Sequence, residues 1–361
     1  MAGVAGDPPP ILPYYPTHFF WFNYILESDL ASWYVSVMRN LFWIVYISCK
    51  VEPLVSAIII THNRAKYLKK AIQSLINQSI PKHQYEIIVV DNCSSDCTKE
   101  VVEEFSIRNN VQYLYEPVLG SSKSRNTGLN NARGKYVAFL DDDAISSSEW
   151  LEKILFVFET LHPRPGCVGG KVEPIWESDR PDWLSDELLL ALAIINWSDN
   201  PHIIDDLKKE WLVSANIAFP IDVVKEVGGF NTSLGRFGKN LLSNEDIFLE
   251  RQIIKKGYAC YYYPDIVVKH HIFQSRLSQS FFIRRYYWQG ISNAVMQLIE
   301  DDQSQIKRLI NAASRTKYFL GRKKNIRRIL LPTNKPAEFT QRCWAFVTLG
   351  EISGFLRGTK Q

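Results

Sequence analysis

Three short stretches of this sequence gather the side chains that metal, acid and base chemistry uses. Asp141-Asp142-Asp143 follows directly on residues 136–140, a short apolar run with the pattern of a buried strand. Three like charges at a strand end raise one another's pKa values unless a cation sits among them. A hard divalent ion is the natural remedy, and Mg²⁺ is usually held by one or two carboxylates together with substrate phosphates. A solvated acidic turn ahead of a helix near Ser148 is the plainer alternative. The second stretch, Ser243-Asn244-Glu245-Asp246, opens a helix marked by Ile247, Leu249, Ile253 and Ile254 and ended by Gly257. Acids in a first helical turn also do no more than offset the dipole, at about 0.3–1 kcal/mol each. The third is His270-His271 at the end of a strand. A single histidine there is usually structural, whereas two in succession shift the balance toward a ligand or proton-handling role.

Positioning these groups takes a sheet. Residues 54–60 read as a buried strand leading to Thr61, Asn63 and Arg64, and Leu68, Ala71, Ile72, Leu75 and Ile76 then repeat at helical spacing. A second strand over 85–90 ends at Asp91 and opens into Ser94 and Asp96, followed by a helix over 98–105. A weak strand over 111–114, a turn at Gly120 and a helix over 121–131 complete a third unit before the acidic triplet. This alternation predicts parallel βαβ units, whose ligands gather beyond the carboxyl ends of the strands. Lys123 and Arg125 near a helix start also favour a phosphate group.

Taken together, residues 56–64, 89–96, 124–129 and 139–143 resemble a family 2 glycosyltransferase, in order and separation as well as residue type. The resemblance implies an α/β fold of the GT-A kind, Rossmann-like, with a mostly parallel sheet flanked by helices and a C-terminal helical extension. It implies a nucleotide-sugar donor held by Thr61, Asn63, Arg64, Asp91, Ser94, Arg125, Asp141 and Asp142. A divalent metal, Mg²⁺ or Mn²⁺, would sit on Asp143 with Asp141 and His270, His271 remaining the alternative imidazole. Asp246 would be the general base on the acceptor hydroxyl, with Glu245 in reserve; Asn244 stands where the family often has glycine. Arg251, on the helix after the acidic pair, and Trp183 are the expected acceptor contacts, although core packing explains most tryptophans equally well.

Composition bounds the remainder. The chain has 361 residues, 46% of them hydrophobic, and a net charge of +4, which excludes neither a large core nor an ordinary enzyme but gives no reason to expect nucleic acid as a partner. Its six cysteines lack zinc spacing, which points to reduced thiols in the cytoplasm. Residues 1–50 read as an N-terminal extension without a secretory signal, its apolar 30–49 stretch interfacial or packed because Arg39 and Asn40 interrupt it; translation from Met38 is a further expectation. Residues 51–275 form the catalytic domain, divided near 145 into nucleotide and acceptor halves. The segment 174–210 is long enough to be a functional lid. Residues 276–361 are a basic, aromatic helical tail, with 332–361 adding little. Such a tail suits an anionic membrane surface, nucleic acid, or packing on the catalytic domain; a lipid-linked or saccharide acceptor in a cell-surface polysaccharide or glycolipid pathway favours the inner face of a membrane. A sugar-phosphate nucleotidyltransferase and an inactive sugar-binding scaffold are the rival readings.

Overall fold

Alternating apolar runs build the first half. The structure, a computed structural model, describes residues 52–358 apart from 108, 302 and 303, so the expectations for residues 1–50 lie outside it. In chain order come β1 (Val55–Thr61), α1 (Ala65–Ile76), β2 (Tyr85–Asp91), α2 (Thr98–Ser106), β3 (Val111–Tyr115), α3 (Ser121–Asn131) and β4 (Tyr136–Asp141). These strands pair in parallel in the order β3-β2-β1-β4. Side chains alternate between the two faces, as strand geometry requires. Ala57 and Ile59 pack with Leu68 and Ile72 of α1 on one side, while Ile58, Val137 and Phe139 pack with Leu129 of α3 on the other. Each such aliphatic side chain contributes about 1.5–3 kcal/mol by leaving water. Register then aligns the strand ends: Thr61 lies opposite Asp91, and Ile60 opposite Asp141.

The second half continues this sheet and adds a smaller one. It runs β5 (Ala144–Ser146), α4 (Trp150–Thr160), β6 (Pro165–Gly169), β7 (Val172–Trp176), β8 (His202–Ile203), β9 (Asn216–Pro220), α5 (Ile221–Glu226), α6 (Glu245–Lys255), β10 (Ala259–Tyr262) and β11 (Val268–Ile272). The large sheet has the order β3-β2-β1-β4-β9-β6-β10-β8, with β9 antiparallel to both neighbours. The small sheet, β5-β11-β7, sets Ala144 opposite His270. The apolar run 167–173 is divided between two strands in different sheets, β6 and β7. Between them Gly170 passes so close to the carbonyl oxygens of Tyr263 and Ile266 that a Cβ would collide with them. Strand β9 begins only at Asn216, and the amide of Ser214 just before it donates to Asp246 instead.

Four helices close the chain: α7 (Gln279–Asp301), α8 (Gln305–Gly321), α9 (Lys323–Leu330) and α10 (Pro336–Arg357). The region after 332 does more than expected. The backbones of α7 and α10 meet at Gly290 and Gly350, where any side chain would strike the carbonyls of Val347 and Tyr287. Phe282, Tyr286, Phe339 and Val347 from this pair enclose Leu188 and Leu192 of a short 3₁₀ segment, Asp186–Leu192. The tail thus holds the segment 174–210 in place. Among the described residues, no helix is long and apolar enough to cross a membrane.

Candidate active site

The strand ends and α6 face a single cavity of about 1280 Å³. On one side, Asp142 and Asp143 leave β4 and are buried at once. Thr61 Oγ1 donates to Asp142 Oδ2 at 2.8 Å, and Arg64 Nη1 donates to both Asp142 Oδ1 and Asp143 Oδ2 at 2.8 Å. Arg276 approaches Asp143 Oδ2 at 3.4 Å, and the backbone N–H of His271 donates to the Asp143 carbonyl at 2.9 Å. Burial pushes the Asp142 carboxyl up to about 6 against the pull of Arg64. Burial acts on Asp143 in the same sense, but His270, Arg64 and Arg276 outweigh it and hold that carboxyl well below the usual range.

The donor set here fits a divalent cation. Ligand atoms of Asp141, Asp143 and His270 all lie within 4.8 Å of one another. His270 Nδ1 faces the Leu192 carbonyl at 3.1 Å, and a carbonyl only accepts, so Nδ1 carries a proton. Nε2 then faces Asp143 Oδ1 at 2.9 Å, where a bare lone pair would be repelled. A divalent cation shared by these two atoms would remove that repulsion. His271 differs: its ring packs edge-on against Tyr67 at 5.3 Å, and neither ring nitrogen has a hydrogen-bond partner.

Opposite stands the acidic pair. Asn244 precedes α6 in the left-handed region at φ 76°, held by Gln289 and Asn293 of α7 at 2.7 and 3.0 Å. Glu245 is engaged by Arg125, whose Nη1 donates to it at 2.9 Å, while Arg125 Nη2 donates to Ser214 Oγ at 2.5 Å. Ser214 passes the interaction on, donating from both N and Oγ to Asp246 Oδ2 at 3.0 Å. Among the described residues, Asp246 Oδ1 has no hydrogen-bond partner. Burial, and then repulsion from Glu245, push this carboxyl up to about 7. An acceptor-only oxygen with a near-neutral pKa can take a proton from a hydroxyl.

Of the residues expected from the sequence, Thr61, Arg64, Arg125, Asp141, Asp142, Asp143, Glu245, Asp246, Arg251 and His270 line this cavity. Asn63, Asp91, Ser94 and Trp183 stand outside its wall. Asp91 accepts from Tyr113 Oη at 2.8 Å and from the Ser94 N–H at 2.9 Å, and Asn63 and Ser95 bridge the same two loops. Trp183 packs edge-on between Phe282 and Phe339, at 5.3 and 4.9 Å, in the apolar cluster beneath the 3₁₀ segment. Arg251 pairs with Glu300 of α7 at 2.9 Å. Sequence reading missed Ser214 as the link between Arg125 and Asp246, and Arg276, which sits in a 3₁₀ turn six residues after His270 with no periodic pattern to mark it. A second cluster, Cys167, Glu250 and Cys260, is sealed in the core away from the cavity.

A parallel first half, a mixed second half and carboxylates at the central strand end define the GT-A fold. Residues 56–218 match the family described as Glycosyl transferase family 2, and the chain is a glycosyltransferase. It is 26% identical over 276 residues to the glucosyl-dolichyl phosphate glucuronosyltransferase of Haloferax volcanii, covering 75% of this chain and 86% of that one. Glycosyltransferase AglE of the same organism is 29% identical over 221 residues, covering 60% of this chain and 67% of that one. Among solved structures, the mannosyltransferase PcManGT of Pyrobaculum calidifontis, in complex with GDP-Man and Mn²⁺, superposes with a TM-score of 0.55 at 19% identity, over 84% of this chain and 87% of that one.

Proposed function

We propose that this enzyme transfers a sugar, with inversion and in one displacement, from a nucleotide-diphosphate donor to a hydroxyl of a lipid-linked saccharide. The observation that supports this most is that Asp143 and Asp246, far apart in sequence, face one cavity together with His270 of β11. Asp141, Asp143 and His270 would hold Mg²⁺ or Mn²⁺, which when bound supplies charge to offset the leaving diphosphate. Thr61 and Arg64 fix the carboxylates, and Asp246 Oδ1 takes the acceptor proton. Glu245 is the weaker candidate for base because Arg125 already occupies it. The direct test is product analysis after incubation with nucleotide sugars, Mn²⁺ and a polyprenyl-phosphate sugar; hydrolysis without transfer to any acceptor would refute it.

The base assignment fixes a pH dependence. Asp246 works only when ionised, and its carboxyl is pushed up to about 7, so kcat/KM should fall as pH drops through about 7. A profile flat from pH 5.5 to 8 would place the proton transfer elsewhere.

A membrane is the proposed surface of action. Between residues 305 and 335 the sequence has ten Lys or Arg and no Asp or Glu. Within this stretch Ile306 is 71% exposed and Leu330 70%, with Leu309, Ile310, Leu320 and Leu331 also exposed. Two copies of so cationic a face would repel each other, and nucleic acid leaves the aliphatic side chains unexplained. An anionic bilayer satisfies both, at about 1 kcal/mol per basic residue near the headgroups. The protein is expected to float with vesicles containing phosphatidylglycerol and to be released by 1 M salt together with Ile306→Ser and Ile310→Ser. Equal binding to neutral vesicles would contradict the assignment.

A further inference from the structure

We propose that Arg236 and Arg285 form a second anion site in the same cavity, one that receives a phosphate carried by the acceptor. The inference rests on the transfer reading above and names the acceptor group that the site selects. It begins from the arginines of the cavity wall. Arg64 and Arg276 are engaged with Asp142 and Asp143, Arg125 with Glu245, Arg251 with Glu300 and Arg315 with Glu351, while Arg284 donates to the Lys239 carbonyl. Arg236 and Arg285 face the same space, and among the described residues neither has a carboxylate within ion-pair distance. The side-chain partner of Arg285 is neutral: it donates to Gln289 Oε1 at 3.0 Å. Glu245, the acid whose field reaches it, is already bound to Arg125.

Placing two cations side by side without an anion is unfavourable. Burial, and then repulsion from Arg236, push the Arg285 guanidinium down to about 10. The planar guanidinium forks suit bidentate phosphate recognition.

Position assigns the phosphate to the acceptor. Gln289, which accepts from Arg285, also donates to Asn244, the residue that leads into Glu245 and Asp246. Arg285 is therefore one side chain removed from the loop that presents the base. On the metal side, Arg64 and Arg276 already engage the carboxylates that would hold the cation and, through it, the donor diphosphate. Met296, Trp344 and Phe355 of α7 and α10 also line the cavity, beside the internally paired Arg251–Glu300 and Arg315–Glu351. An unpaired cationic patch next to the loop that presents the base matches an acceptor sugar that carries a phosphate.

The test fills the donor subsite first. With the protein saturated by Mn²⁺ and whichever of UDP or GDP binds, glucose 1-phosphate is titrated calorimetrically, with glucose as the neutral control. Glucose 1-phosphate is expected to bind, and Arg285→Gln and Arg236→Gln should each weaken it about tenfold or more while the nucleotide Kd stays unchanged. Arg285→Lys should restore part of the loss. Neither Gln variant should lower the Tm, since each removes an unpaired cation. A weaker nucleotide Kd in the Gln variants would assign these arginines to the donor diphosphate and overturn the proposal, as would unaltered glucose 1-phosphate binding. If neither nucleotide binds, the transfer reading itself fails, and titration of glucose 1-phosphate into the protein alone still decides whether the two arginines bind phosphate.

Discussion

Asp246→Asn is expected to lower kcat by about 10²–10⁴-fold, the usual contribution of a general base, while leaving donor affinity unchanged. The amide keeps an acceptor for the Ser214 N–H and hydroxyl, which hold this side chain at 3.0 Å, so the geometry of the pair survives. What disappears is the second oxygen's capacity to take a proton. Stability moves the other way. A carboxyl raised by burial to about 7 is easier to ionise in the unfolded chain, so folding stability declines as pH rises through that value. Removing the ionisable group should therefore leave the Tm at pH 8 equal or higher. Glu245→Gln separates the two acids. It strips the partner from Arg125, whose side chain is only 6% exposed, and a buried charge left alone costs about 3–5 kcal/mol. Thermal unfolding and single-turnover kinetics on both variants give opposite patterns: Asp246→Asn intact but inert, Glu245→Gln weakened in fold. Near-normal turnover in Asp246→Asn would remove it from the chemistry.

The parts of the molecule legible in the sequence are those governed by local periodicity. Residues 54–60, 85–90 and 136–140 read as strands because both faces of a covered parallel sheet are apolar, and each run stops at the polar residue that its register brings to the common edge. The acidic pair was readable as the first turn of a helix for the same reason. What escaped depends on contacts between distant segments. The strand break at Gly170 is set by the carbonyls of Tyr263 and Ile266, and the docking of α10 by glycines that face Tyr287 and Val347, neither visible as a hydrophobic pattern. Trp183 shows the same limit from the other side. A tryptophan among acids looks alike in sequence whether it faces a sugar or, as here, Phe282 and Phe339. Arg236, Arg276 and Arg285 come from a loop, a 3₁₀ turn and a helix, and only the folded chain shows which have carboxylate partners and which do not.

Asp143→Asn is expected to abolish the Mn²⁺ dependence of nucleotide binding, with affinity in saturating Mn²⁺ falling on the order of 100-fold, since even outer-sphere changes at metal sites cost about 10–100-fold. Among the described residues, Asp143 is the carboxylate that touches His270, Arg64 and Arg276 together. Its side chain is 1% exposed, Arg276 has it as its carboxylate partner and Arg64 shares it with Asp142, and the amide cannot replace a full charge. The variant should accordingly lose stability in metal-free buffer, by about 3–5 kcal/mol if the buried pairs behave as broken ion pairs usually do. His270→Gln provides the complementary test. It removes a proposed metal ligand and leaves Asp143 paired with Arg64 and Arg276, so metal-free stability should fall less while the Mn²⁺ effect still weakens. Calorimetric titration of the nucleoside diphosphate with and without Mn²⁺, alongside metal-free thermal unfolding, reads both quantities. Should Asp143→Asn retain the full Mn²⁺ enhancement, its burial beside Arg64 and Arg276 would be a folding device alone, and the metal would have to be held from elsewhere in the cavity.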